Sequence, residues 1–256
     1  MVGAMFAEIL TIGDELLSGH TIDSNSAFIA QKLTERGYWV KRKTTVGDDV
    51  KEIVAAVSEI LQRRPELLVI SGGLGPTHDD VTALAVAEAL KKELLLNEEA
   101  LRRIESFYKS LYERGLIDDP DLNDARRKMA YIPEGAELLR NEVGAAPGFY
   151  IQKGPTKIFV LPGMPKEMKA MLENEVLPRI AGKRFIQKKL LAEITDESKL
   201  APILSEAIEK FGVRIHSSPK GFGRYIGIII FGENEEIIEN AKRFMEEKGI
   251  VFEQGW

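Results

Sequence analysis

The sequence has no cysteine, which excludes disulfides, thiolate metal sites and cysteine nucleophiles together. No apolar run approaches the roughly 18 residues that a membrane span needs. The longest, around Ile226–Phe231, is strand-sized. The first residues, Met1-Val2-Gly3-Ala4-Met5, show neither a basic n-region nor an apolar h-region. No signal peptide is therefore expected, and the cytoplasm is the expected location. Basic residues are not in excess: 35 Lys and Arg stand against 40 Asp and Glu, a net charge of −5. Residues 1–182 hold that deficit, with 23 basic and 28 acidic side chains, whereas residues 183–256 carry 12 of each. Neither part has the basic surplus on which non-specific nucleic-acid binding depends, so no nucleic-acid partner is expected. Only three histidines occur, without metal-ligand spacing.

What is present is an ordinary folded composition. The 256 residues, 44% of them apolar, fit one large domain and one small domain. Many Glu, Lys and Arg without Cys also suit a protein that works at high temperature. Hydrophobic periodicity alternates between strand and helix. Ala7–Ile12 reads as a buried strand, then a helix capped at Asp23 or Ser24 runs to Arg36 with Ile29 and Leu33 on one face. Tyr38–Val46 is a second strand. A helix starts at Asp49, followed by strand Glu66–Ser71 and a helix over Asp80–Leu90 that is apolar nearly all round. Residues 98–131 read as helical with a break around Asp118–Leu122. A strand at Lys157–Leu161 and a helix at Pro165–Leu177 complete this part. The alternation predicts right-handed βαβ units. The fold class is α/β: three layers, with a mainly parallel sheet and helices on both faces. Gly182-Lys183-Arg184 reads as a linker between domains 1–182 and 183–256. Beyond it the order is strand 186–194, helix 197–211, strand 213–217, strand 225–232, helix 234–248, a small α+β domain.

In an open α/β sheet, ligands bind beyond the carboxyl ends of the strands. Four loops follow strands there: Gly13-Asp14-Glu15, Gly47-Asp48-Asp49, Gly72 to Asp80, and Pro162-Gly163-Met164-Pro165-Lys166. Each has glycine and three have carboxylates, so all four are expected on one sheet edge. In the third, Gly72, Gly73 and Gly75 allow positive φ and close backbone approach to a ligand, with amides to cradle phosphate. The loop is neither a dinucleotide fingerprint, since His78 stands where the third glycine belongs, nor a Walker A loop. A plain strand-to-helix turn is the competing reading, because Thr77 and Asp80 have capping-box spacing. Asp49 and Glu52 fit a capping box, which leaves Asp48 free to face the site. Carboxylates beside a phosphate cradle imply a cation between them. Asp48 and Asp80 therefore point either to a divalent metal, most simply Mg²⁺, or to hydrogen bonding with a hydroxylated ligand. Asp14 and Glu15 either join the site or cap the turn before Leu16-Leu17. His78 is the functional candidate among the histidines; His20 and His216 read as surface or packing residues.

Taken together, Gly13-Asp14-Glu15-Leu16-Leu17-Ser18-Gly19, Asp23-Ser24-Asn25, Ser71 to Thr82 and Leu161-Pro162-Gly163-Met164-Pro165-Lys166-Glu167 resemble the N-terminal domain of the CinA (competence/damage-inducible) proteins. That domain is related to the molybdopterin-binding fold of MogA and MoaB. The resemblance spans residues 5–178. Residues 185–256 are similar to the small module, KH-like in shape, that follows it in CinA. The nearest thing to the Gly-x-x-Gly loop of a nucleic-acid-binding KH domain is Gly221-Phe222-Gly223, with the wrong spacing. CinA proteins usually continue into a deamidase domain acting on nicotinamide mononucleotide. With the sequence given ending at Trp256, that activity is not expected.

The resemblance implies metal-dependent hydrolysis of ADP-ribose to AMP and ribose 5-phosphate. A similar domain of eukaryotic FAD synthase hydrolyses FAD, and relatives in molybdenum cofactor synthesis bind and adenylylate molybdopterin. It further implies that Asp48 and Asp80 are catalytic or bind the divalent metal (Mg, Mn or Co). Gly13, Asp14, Gly72, Gly73, Gly75, Thr77, Gly163 and Lys166 would bind phosphate or nucleotide, with the amides of Gly72, Gly73 and Gly75 on pyrophosphate and Lys166 neutralising a second phosphate. The expected ligand is a nucleotide or pterin phosphate, and the expected assembly a homodimer or homotrimer, with no membrane partner. The leading expectation is a nucleotide pyrophosphatase. Its rivals are a molybdopterin-binding or adenylylating protein and a non-catalytic nucleotide sensor whose small module contacts another protein.

Overall fold

A computed structural model describes residues 5–180, 182, 185–194, 196–219 and 225–254. Residues Lys183 and Arg184 of the expected linker, the Gly221-Phe222-Gly223 segment and Trp256 lie outside the described residues. The chain divides into two compact units, Met1–Thr34 with Tyr38–Gly182, and Glu35–Gly37 with Lys183–Trp256.

The first unit runs β1 (Phe6–Ile12), α1 (Asp14–Leu17), α2 (Ser24–Glu35), β2 (Trp39–Val46), α3 (Val50–Gln62), β3 (Leu67–Ser71), α4 (Thr82–Leu90), β4 (Leu94–Leu96), α5 (Glu98–Glu113), α6 (Asp124–Lys128), β5 (Tyr131–Pro133), β6 (Glu137–Leu138), β7 (Phe149–Lys153), β8 (Thr156–Leu161) and α7 (Pro165–Met171). A π-helical turn, Leu172–Val176, continues α7. The main sheet has the order β2-β1-β3-β8-β7-β6. Its first four strands are parallel neighbours; β7 and β6 add on antiparallel. Sequence periodicity misses β4 to β7. The break expected around Asp118–Leu122 lies between α5 and α6, but the helical segment ends at Lys128, and Tyr131 belongs to a strand paired with β4.

Alternation along the parallel strands explains the three layers. Leu10, Leu68, Ile70, Ile158 and Val160 share a core with Ile53, Val57, Val86 and Ile104 from α3, α4 and α5. The intervening Ile9, Leu67, Val69, Phe159 and Leu161 pack with Ile29, Leu33 and Met168 from α2 and α7. Both faces are covered, so the central strands read as continuous apolar runs. Burying each such Leu or Ile stabilises the fold by roughly 1.5–3 kcal/mol.

The second unit runs β9 (Ile186–Glu193), α8 (Glu197–Phe211), β10 (Arg214–Pro219), β11 (Tyr225–Gly232), α9 (Glu235–Glu247) and β12 (Phe252–Gln254). Its sheet order is β10-β11-β9-β12, all antiparallel. Periodicity misses β12, which supplies a fourth strand. The resulting βαββαβ order is that of the split βαβ motif. Among the described residues, no helix is long and apolar enough to cross a membrane.

Candidate functional site

Because β2, β1, β3 and β8 are parallel neighbours, the loops that follow them emerge on one edge of the sheet. They surround a cleft of about 430 Å³. Each loop contributes to its lining: Gly13, Asp48, the Gly72–Thr77 segment with Asp79 and Asp80, and Gly163. Asp14 and Lys166 are not among the residues that line it.

Asp14 acts on the neighbouring loop instead. Its N–H donates to Asp48 Oδ2 at 2.9 Å, and the Asp48 N–H donates to Asp14 Oδ1 at 3.2 Å. Asp49 caps α3, its Oδ1 accepting from the N–H groups of Lys51 and Glu52. Burial pushes the Asp48 carboxyl above the usual carboxylate range, an effect opposed by the Asp14 N–H and reinforced by the charges of Asp14, Glu15 and Asp79. Among the described residues no protein donor reaches Asp48 Oδ1.

The glycine loop has two jobs. Gly72 and Gly73 adopt φ of +119° and +66°. A Cβ on Gly72 would lie 2.2 Å from the Ile12 carbonyl oxygen; one on Gly73 would lie 2.2 Å from Thr82 Oγ1. The positive φ expected here is present at Gly72 and Gly73, and the missing side chains also make room for the protein's own atoms. The Gly72 amide is also not available, since it donates to the Leu161 carbonyl. The amides of Gly73, Leu74 and Gly75 have no partner among the described residues, so the free donors run over 73–75. Asp80 closes the loop: its Oδ2 accepts from the Thr77 N–H at 2.9 Å and hydroxyl at 2.5 Å. The Asp80 N–H donates back to the Thr77 carbonyl. Only half of the capping-box pattern anticipated from the spacing is present, since the Asp80 N–H bonds the Thr77 carbonyl and not its hydroxyl, and α4 begins at Thr82 behind Val81, so Asp80 does not cap that helix. No protein donor among the described residues reaches Asp80 Oδ1. The Thr77 hydroxyl also lowers the Asp79 carboxyl below its ordinary value.

The fourth loop is pinned from below by Asn25, whose Nδ2 donates to Ser71 Oγ and to the Gly163 carbonyl, at 3.1 and 2.8 Å. Lys166 is exposed. Its neighbour Glu167 lines the cleft instead. The Glu167 carboxylate accepts from Asn141 Nδ2 at 2.5 Å. Burial raises its pKa above 4.5, against the opposing hydrogen bonds from Asn141 and the Ala146 backbone. Asn141 in turn accepts from the N–H groups of Val143 and Gly144, so the 141–146 loop is wrapped around this acid.

The rest of the lining is apolar: Phe107 and Tyr108 of α5, Met129, Ala145, Ala146 and Met164. Tyr108, Met129 and both alanines belong to one core cluster. Sequence reasoning missed Phe107, Tyr108, Asp79 and Glu167. The Ala100, Ile104, Tyr108 spacing in α5, every fourth residue, does place Tyr108 on the inward face. His78 lines a smaller adjoining hollow of about 170 Å³ and not this cleft. His20 bonds Ser18, and His216 stacks edge-on against Phe231.

The cleft therefore carries five carboxylates, Glu15, Asp48, Asp79, Asp80 and Glu167, and no basic side chain among the described residues that line it. No three metal-ligating side chains cluster tightly enough, among the described residues, to hold an ion by themselves. Lys128, which donates to the Thr77 carbonyl, and His78 line the adjoining hollow, and an anionic ligand in the acid-lined cleft is favoured by a cation shared with these acids.

The family model described as "Probable molybdopterin binding domain" matches residues 8–182. A protein of Thermococcus kodakarensis is 69% identical over 98% of this chain and 100% of its own length. One from Metallosphaera sedula is 40% identical over 97% of this chain and 95% of its own. Among solved structures, CinA of Thermoplasma acidophilum, a protein of unknown function, is similar with a TM-score of 0.61 and 39% identity, over 69% of this chain and 99% of that one. The glycine loop, the acid-lined cleft and these matches lead to one placement: the chain belongs to the probable molybdopterin binding domain family, in its CinA-like form.

Proposed function

We propose that the cleft binds a pterin phosphate of the molybdopterin type. The observation that carries this reading is the run of unpartnered amides at Gly73, Leu74 and Gly75 beside a mixed apolar and acidic wall. Amides of this kind bind phosphate oxygens, and Phe107 and Tyr108 offer apolar surface to a planar ring. The family match over residues 8–182 supports the same ligand class.

No three side chains among the described residues could hold a divalent cation by themselves, so a cation here would need phosphate as a further ligand. Asp48 Oδ1 and Asp80 Oδ1 are the free oxygens that would hold it, with phosphate completing the shell. Such an ion supplies charge neutralisation and a route to an activated water. Titration of purified protein with a pterin phosphate, by its fluorescence, with and without Mg²⁺, tests the reading. Micromolar binding that needs the cation is expected. Absence of binding under both conditions overturns it.

The same acids favour a second reading, hydrolysis of a nucleotide pyrophosphate such as ADP-ribose. There Asp48 and Asp80 would hold the cation while water adds to one phosphorus, the bond from that phosphorus to the bridging oxygen breaks, and the bridging oxygen leaves with the other phosphate, giving AMP and ribose 5-phosphate. Incubation with ADP-ribose, FAD, NAD, CoA and ATP under Mg²⁺, Mn²⁺ and Co²⁺ decides it. Binding without turnover under every metal leaves a binding or sensing role. The expected dimer or trimer belongs to both readings and is measured by light scattering.

A further inference from the structure

Glu167 lines the cleft and is held there by the 141–146 loop. Its Oε2 accepts from Asn141 Nδ2, and a Cβ on Gly144 would lie 2.2 Å from the same oxygen. Ala146, whose backbone also bonds this carboxylate, belongs to the cluster that contains Tyr108 and Met129. No basic side chain pairs with Glu167 among the described residues. A carboxylate has about four acceptor positions. Asn141 supplies one donor and the Ala146 backbone acts on the same carboxylate, which leaves acceptor positions open on a residue that lines the cleft. Glu167 is half-buried and lines the cleft, so a ligand with paired donors can take the acceptor positions that the loop leaves open.

We infer that Glu167 reads the edge of the ligand's ring and selects a 2-amino-4-oxopyrimidine, the group shared by pterins and guanine. That edge carries a ring N–H beside an exocyclic NH₂, two parallel donors that match two carboxylate oxygens. Adenine cannot match it, because each adenine edge sets a donor next to an acceptor. The inference rests on the reading that the cleft takes a ring-bearing phosphate, and it names the ring. It also bears on the choice between the two functions, since ADP-ribose carries adenine.

Titration calorimetry on the full chain with Mg²⁺ tests it through pairs matched in phosphate. GDP is compared with ADP, and dihydroneopterin triphosphate with ATP; pyrophosphate reports the phosphate site alone. A preference of at least tenfold for the 2-amino-4-oxo member is expected, and the pair that shows it names the source as guanine or pterin. Inosine diphosphate, which keeps the ring N–H and lacks the amine, should bind more weakly than GDP. In Glu167→Gln the preference should fall to near one, because an amide presents one donor where two acceptors are needed. A preference retained in Glu167→Gln overturns the inference. If that variant does not fold, the wild-type comparison of GDP with inosine diphosphate decides alone. Equal affinities within both pairs, with pyrophosphate binding, overturn the ring inference only. Failure of every ligand to bind, pyrophosphate included, overturns the cleft reading and the inference with it.

Discussion

Asp14 and Asp48 bond each other's backbone: the Asp14 N–H reaches Asp48 Oδ2 at 2.9 Å, and the Asp48 N–H reaches Asp14 Oδ1 at 3.2 Å. Two acids adjacent in space would repel. Here each carboxylate takes a backbone N–H from the other loop, so β1 and β2 end in a closed link. Gly47 belongs to the same arrangement, since a Cβ there would lie 2.4 Å from Asp14 Oδ1. Asp14→Asn keeps an acceptor and should leave stability within about 0.5 kcal/mol of wild type. Asp14→Ala removes the acceptor and should lose about 1 kcal/mol. Urea denaturation of both variants checks this; equal losses would mean that the link contributes nothing.

Gly73 combines a φ of +66° with a Cβ position 2.2 Å from Thr82 Oγ1, whereas Gly135 has φ of +78° and open space. Gly135→Ala should therefore show backbone strain alone, about 1 kcal/mol. Gly73→Ala should lose more, and Thr82→Ala in the same chain should recover part of the difference. Thermal melts of the three variants separate strain from collision. Equal losses at the two glycines would show that the Thr82 contact relaxes freely.

These contacts show what the residues could and could not disclose. The loops were legible because glycine and acid clusters follow apolar runs, and Asp49 was legible as a cap because capping is local in sequence. Helix α8 matches its expected range of 197–211. Charge alone singles out Lys166, yet Met168 and Met171 form the buried face of α7. Successive helical residues lie about 100° apart, and on α7 it is Glu167 that lines the cleft while Lys166 is exposed. The partners that orient Glu167, Asn141 and Ala146, lie more than twenty residues earlier, and no spacing rule reaches them. Short antiparallel strands such as β6, with two residues, carry too little pattern to be seen.

Glu8 is the clearest case of a residue hidden by its surroundings. It sits in the middle of β1, 1% exposed, within a run that reads as apolar. Arg63, at the end of α3, grips it with two bonds, Nε to Oε1 at 2.8 Å and Nη2 to Oε2 at 2.7 Å. Removing one partner leaves a buried charge alone, so Arg63→Ala should lose about 3–5 kcal/mol. Replacing both partners, Glu8→Leu with Arg63→Met, should return most of that. Denaturant melts of the single and double variants form the cycle. A double variant as unstable as Arg63→Ala would show that the pair is needed for more than mutual neutralisation.

Burial raises the Glu167 pKa in the folded chain above its ordinary 4.5. Folding therefore favours the protonated acid. The folded state binds more protons than the unfolded state in the window above 4.5, so stability falls as pH rises through that window. Below it, both states are protonated and Glu167 contributes its full stabilisation. Glu167→Gln cannot ionise and lacks this loss. The stability of the variant relative to wild type should accordingly be constant at low pH and rise from about pH 4.5 upward. Asp48 persists in both proteins, and its own raised pKa drops out of the difference. Phosphate-bearing ligand and added metal are to be left out, because either would change the field in the cleft. Urea denaturation of both proteins at half-unit steps from pH 3.5 to the neutral range measures the difference. A flat difference would show that the carboxylate ionises as freely in the fold as in water, and the enclosure of Glu167 by the 141–146 loop would then be looser than its contacts with Asn141 and Gly144 require.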